Sequence, residues 1–209
     1  YSAFGTYTGN GSSQNIAHSL GAVPSMIIGK RRDSTSDWAV YHVSLGNTGA
    51  LALNLTIAKY VSAGYFNNTT PTSSVFSVGA TSATNGAYNY VAYCFAAVAG
   101  YSSFGSYTGN ASTDGPFVYL GFRPRYLLIK NSSIAASWEI IDTSRDPYNV
   151  AYHDLYAESN SAESTGTNRL DIVSNGFKVR DSNTFINGSG NTVIFAAFAE
   201  NPFQIARAR

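Results

Sequence analysis

The sequence repeats itself. The opening Tyr1-Ser-Ala-Phe-Gly-Thr-Tyr-Thr-Gly-Asn10 returns as Tyr101-Ser-Ser-Phe-Gly-Ser-Tyr-Thr-Gly-Asn110. The same offset carries Leu20-Gly21 to Leu120-Gly121, Pro24 to Pro124, Lys30 to Lys130 and Trp38 to Trp138. A solenoid unit runs only ~20–50 residues, so a spacing this long fits a small domain or half of a larger one. Two units are expected, 1–100 and 101–209. Gly100 joins them without a Pro- or Ser-rich linker, which predicts copies packed closely against each other. Duplication also constrains function, because a catalytic centre needs one unrepeated constellation. Shared positions therefore read as scaffold. Function is expected where the copies disagree, between about 45 and 72 and between about 142 and 168.

The composition selects the fold class. Charged residues make up only 12%, while 15 Tyr and 12 Phe give ample surface to bury. Tyr, Phe, Val, Ile and Thr suit pleated sheets, and the 19 Gly with many Ser/Asn clusters indicate tight turns. No segment shows a helical period. An all-β chain is expected, built as two antiparallel β-sandwich units of jelly-roll-like type. Net charge is +1, which gives no broad attraction to nucleic acid or to an anionic membrane. No apolar run approaches the ~18 residues needed to cross a bilayer as a helix. With Cys94 as the single cysteine, no intrachain disulfide forms. The chain begins at Tyr1 without an initiator methionine. Tyr101 continues a strand-like run from Phe95, so a similar strand is expected upstream of Tyr1 in a longer parent protein.

Individual strands are legible. Phe4–Thr8 alternates and ends at Gly9-Asn10-Gly11, a hairpin-type signal. Ser25–Lys30 and Tyr126–Lys130 are short apolar runs, followed by Trp38–His42 and Trp138–Asp142. Leu51, Leu53 and Leu55 alternate as a half-buried strand should. Asn175-Gly176 between Leu170–Ser174 and Phe177–Arg180 is a strong hairpin signal. Each copy closes in its most apolar segment, Tyr90–Ala96 and Val193–Ala199, expected to be central and covered on both faces.

The residues offer little for catalysis. Glycoside hydrolysis wants two carboxylates ~5–9.5 Å apart. The first half holds only Asp33 and Asp37. In the second, Glu139 and Asp142 are three apart on a strand and point to opposite faces. Asp142 with Arg145 reads as an ion pair pinning a turn. His18, His42 and His153 share no metal spacing. His42 stands where the second copy has Asp142, which predicts an equivalent hydrogen bond at a turn. Lys30-Arg31-Arg32 reads as a solvated strand end, and Trp38 and Trp138 as core. No nucleotide, dinucleotide or calcium motif is present. Neither a cofactor nor a metal is implied. The ligand candidates are loop residues rich in aromatic and amide groups: Tyr65, Asn67 and Asn68 in the first copy, and Tyr148, Asn149, Tyr152 and Asp154 in the second. The stretch Asn183–Asn191 is a further loop of this kind.

The repeated Phe-Gly-Ser/Thr-Tyr-Thr-Gly-Asn motif, Leu20-Gly-x-x-Pro24 with Trp38-x-Val-Tyr-His42, Gly121-Phe-Arg-Pro124 and the ending Ala196–Phe203 occur in this order. Together they resemble a tandem-repeat domain of tailed-bacteriophage structural, tail-fibre-like proteins. The resemblance covers nearly the whole chain. It implies a virion component of the tail, with host-surface contact as the natural role; low charge, many hydroxyls and amides and aromatic-rich loops suit glycan as the ligand. The implied partners are other virion proteins and further copies of the chain, a trimer by analogy with phage fibres. It supplies no catalytic residues. Two other readings stay open: a head or tail decoration protein that binds only virion proteins, and a glycan-degrading enzyme.

Overall fold

The computed structural model describes residues 2–165 and 169–201. The described residues are all-β, with antiparallel sheets, two four-residue α-helices and a short 3-10 helix at Val43–Leu45. Its contacts divide it into two compact units, Tyr1–Ala97 and Val98–Arg209.

The first unit contains β1 (Ser2–Thr8), β2 (Gln14–Ala17), β3 (Met26–Arg31), β4 (Trp38–His42), β5 (Gly49–Ala52), β6 (Tyr60–Val61), α1 (Ala63–Phe66), β7 (Val75–Val78) and β8 (Asn89–Phe95). Six strands form one sheet in the order β1-β8-β3-β4-β5-β6, and β2 pairs with β7 in a second. Ile27, Tyr41, Ala92 and Cys94 of the large sheet share one core with Phe76 and Val78 of β7 and Phe66 of α1.

The second unit contains β9 (Ser102–Thr108), β10 (Phe117–Tyr119), β11 (Pro124–Asn131), β12 (Trp138–Asp142), β13 (Leu155–Tyr156), β14 (Leu170–Val173), β15 (Gly176–Val179), α2 (Thr184–Asn187) and β16 (Thr192–Ala199). Its larger sheet runs β9-β16-β11-β12-β13, the order of β1-β8-β3-β4-β5, and a smaller one runs β10-β15-β14. Ile129, Ile141 and Phe195 of the first sheet join Val118, Ile172, Phe177 and Val179 of the second in one core.

A buried asparagine recurs in both units. Asn85 and Asn187 are fully buried. The Asn187 Oδ1 accepts from Asn110 N, and its Nδ2 donates to Asn110 Oδ1 and to the carbonyls of Ser112 and Asp181. The Asn85 side chain meets Asn10 N, Asn10 Oδ1 and Ser12 O in the same way. Just before each clamp, a tyrosine hydroxyl reaches across: Tyr7 donates to Thr84 O and Tyr107 to Ile186 O. A buried amide must have its polar atoms satisfied, and here they hold the turn after the first strand against the segment before the last. These partners explain the repeated Thr-Gly-Asn. Gly9 and Gly109 are needed because a Cβ there would lie 2.0 Å from Gly86 O and 2.3 Å from Gly188 O.

The structure corrects four expectations. Gly9-Asn10-Gly11 does not close a hairpin, since β1 pairs with β8 while β2 pairs with β7. The turn carries the chain from one sheet to the other, and its glycines answer to the clamp. The Leu51 alternation ends early: β5 stops at Ala52, and Leu53 and Leu55 lie in a turn where Asn54 Oδ1 takes the Trp38 N–H. The closing strand β8 is central in order but buried chiefly on one face, with Tyr93 37% exposed, whereas β16 is buried on both. Finally, Trp138 is buried as expected, but Trp38 is only half-buried.

Other expectations hold. Asp142 pairs with Arg145 at 2.7 Å and its Oδ1 accepts from Ser144 N. His42 Nδ1 accepts from Ser44 N at the equivalent turn. A hairpin joins β14 to β15 as expected, but its two-residue loop is Ser174-Asn175, one residue earlier than the expected Asn175-Gly176. Gly176 then begins β15, where a Cβ would lie 2.0 Å from Val118 O of β10. Cys94 is buried, and burial pushes its thiol up to about 11.

Candidate functional site

The first unit presents a polar cavity of about 500 Å³, lined by Thr35, Ser36, Asp37, Asn54, Tyr65, Thr81, Ser82 and Ala83. Its construction is local. Ser62 caps α1 by accepting from Gly64 N, and Asn67 ends the helix in the left-handed region at φ 52°. Phe66 anchors the helix in the core. Tyr65 O receives the Gly79 N–H and the Thr84 hydroxyl, which ties the helix to the loop bearing Thr81–Ala83. That approach requires Gly79, where a Cβ would lie 2.2 Å from Ala63 O. On the other side, Asn54 Nδ2 donates to Asp37 Oδ1 at 3.0 Å while Asn54 Oδ1 holds Trp38 N. The Tyr65 ring meets Tyr60 edge-on, with centroids 4.8 Å apart. Burial and a hydrogen bond with Tyr65 raise the Tyr60 phenol, so it stays protonated.

The lining therefore offers four hydroxyls from Ser and Thr, the Tyr65 ring, one amide and one carboxylate. Such a set donates and accepts towards a polyhydroxylated ligand. It contains a single carboxylate and neither His nor Cys.

Of the sequence-predicted residues, Tyr65 lies in this lining. Asn67 and Asn68 lie at the end of α1, both at positive φ, with Asn67 Oδ1 accepting from Ser13 Oγ. The second-unit candidates form a separate group. Tyr148 is 84% exposed and Tyr152 40%. Asn149 has a structural role, since its amide donates to Ile172 O and accepts from Ile172 N of β14. Asp154 is corrected outright. It is fully buried and its Oδ2 receives Arg169 Nη2 at 3.1 Å, so it faces no external ligand.

Sequence reasoning missed what surrounds Asp154. Arg169 is buried with Glu139 at 3.5 Å, Asp154 at 3.1 Å and Asp181 at 2.6 Å. Close by, Asp146 is buried and accepts from the backbone of Tyr152 and His153 and from His153 Nδ1. Arg169 stands far along the chain from its three acids and only the fold brings them together, whereas Asp146 finds its partners within its own loop. Burial pushes the Glu139 carboxyl up to about 8, against the pull of Arg169. Unfolded, the group titrates near 4.5. The native state thus keeps a proton that the unfolded chain has lost. Glu139's contribution to stability is full below pH 4.5 and is lost as pH rises towards 8. Glu139→Gln is expected to flatten that decline in denaturant unfolding followed from pH 5 to 8.

Among the described residues, no group of three or more His, Cys, Asp or Glu is arranged to hold a metal ion. Nor is any described helix long and apolar enough to cross a membrane. Comparison with curated proteins finds no match, and comparison with solved structures finds none. Residues 3–202 match a family described as Domain of unknown function (DUF7483), and at that extent the chain belongs to this family.

Proposed function

We propose that this chain is a non-catalytic structural domain of a tailed-bacteriophage virion, the distal part of a tail fibre or spike, and that it contacts host-surface glycan. The cavity beside Tyr65 carries the binding half of this reading. Its hydroxyl, amide and aromatic lining suits sugar hydroxyls and a sugar face, and its lone carboxylate lacks the partner that glycoside hydrolysis needs. The virion half rests on the resemblance of the repeated motifs. In this reading each unit is one copy of a two-sheet, jelly-roll-like sandwich, and the shared strand order supports it.

The test is binding of the isolated chain to host cells before and after removal of surface polysaccharide. Binding lost with the polysaccharide is the expected result. Tyr65→Ala is expected to weaken it ~tenfold, as loss of an aromatic platform should. Labelling of assembled particles without any cell binding would favour a decoration protein instead. Release of oligosaccharide on incubation would establish an enzyme.

A further inference from the structure

The two units differ at one repeated place in the core. In the second, Phe195 of β16 stands opposite Gly105 of β9. A Cβ on Gly105 would lie 2.8 Å from the end of that ring, so the glycine is the floor on which the phenyl group lies. Phe177 meets Phe195 edge-on at 5.7 Å, and Tyr107 meets Phe177 at 6.0 Å. In the first unit the matching pair is Gly5 of β1 opposite Ala92 of β8. The matching aromatic contact is kept, with Tyr7 edge-on to Phe76 at 6.2 Å. The ring that would complete the set is missing, because Ala92 stands where Phe195 stands. A Cβ on Gly5 would meet nothing within 4 Å.

What remains is a cavity of about 390 Å³ between β1 and the end of β2. Phe76, Ala92 and Cys94 form its apolar floor, and His18 and Ser19 stand at its polar edge. The His18 ring stacks near Phe76 with centroids 6.4 Å apart, and its Nε2 lies 3.1 Å from Thr72 O, so the edge is held in place. A dry apolar cavity of only ~150 Å³ suffices to take up benzene.

We propose that this cavity binds a small monocyclic aromatic molecule bearing one polar substituent. The ring occupies the space that Phe195 fills in the second unit, and the substituent points to the His18–Ser19 edge. This inference is independent of the glycan reading, since the two cavities share no lining residue.

The test uses the full chain and p-cresol as probe, with binding read by saturation-transfer NMR and by backbone amide shifts. Saturable binding with shifts centred on Gly5, Phe76, Ala92 and Cys94 is expected. Ala92→Phe supplies the missing ring and should weaken p-cresol at least tenfold while near-ultraviolet dichroism stays native. Ala92→Leu fills less of the space and serves if the phenylalanine variant does not fold; it should weaken binding about threefold. Absence of saturable binding to the wild-type chain, shifts centred elsewhere, or a folded Ala92 variant that binds p-cresol as the wild type does would each overturn the proposal.

Discussion

Replacing Arg169 by Leu is expected to destabilise the second unit by about 3–5 kcal/mol, the range for stripping one partner from a buried ion pair. The guanidinium is the cation set among Glu139, Asp154 and Asp181, and it is itself only 4% exposed. Burial keeps Glu139 largely protonated at neutral pH, so the main damage falls on Asp154 and Asp181. Asp154 is fully buried and would lose its ion pair with Arg169. Arg169→Lys should recover only part of the loss, because one ammonium cannot reproduce a planar fork that meets three acids. Urea unfolding of the two variants beside the wild type checks this. Equal stability of the leucine variant would mean that the cluster does not tie the loop before β14 to β12, to the residue before β13 and to the segment after β15.

The second large effect is expected at the asparagine clamps. Asn187→Ala removes four hydrogen bonds at once and leaves Asn110 N and the carbonyls of Ser112 and Asp181 without their partner. A cost of about 2–4 kcal/mol follows from four lost hydrogen bonds at about 0.5–1.5 kcal/mol each. Asn85→Ala should act similarly on the first unit, because it loses the same contacts to Asn10 and Ser12. Asn187→Gln should not rescue, since an added methylene displaces the amide from all four partners. Denaturant midpoints measure the cost, and amide exchange at Asn110 and Ala111 should accelerate with it, the latter donating to Asn187 O.

The repeat made the outline of the fold readable. Leu20 and Pro24 return as buried Leu120 and Pro124, and the cross-strand pair Lys30–Trp38 returns as Lys130–Trp138, although only the second pair is fully buried. Local signals worked where the controlling partner was local, as at Asp142–Arg145 and the Ser174-Asn175 loop. They failed at Gly9-Asn10-Gly11, because the partner there is Asn85, far along the chain. A signal did exist. Asn85-Gly86 and Asn187-Gly188 are themselves repeated, which marks the asparagines as scaffold and not as loop decoration.

The candidate sites show the same division. Tyr65 was reachable from the sequence because it lies where the copies disagree. Asp37, Asn54 and Thr81–Ser82 were not, since the loop before β4, the turn after β5 and the loop after β7 meet only in the folded unit. Asp154 looked like an exposed loop acid and is instead the most buried acid of the Arg169 cluster. The cavity at Ala92 could be read only by comparing the two units residue by residue.

The most direct test of the binding account is amide-shift mapping of the chain with purified host-surface oligosaccharide. The account predicts saturable shifts at Thr35–Asp37, Asn54, Tyr65 and Thr81–Ala83, abolished by Tyr65→Ala. Shifts confined to Tyr148–Tyr152, or none at any of these residues, would contradict it.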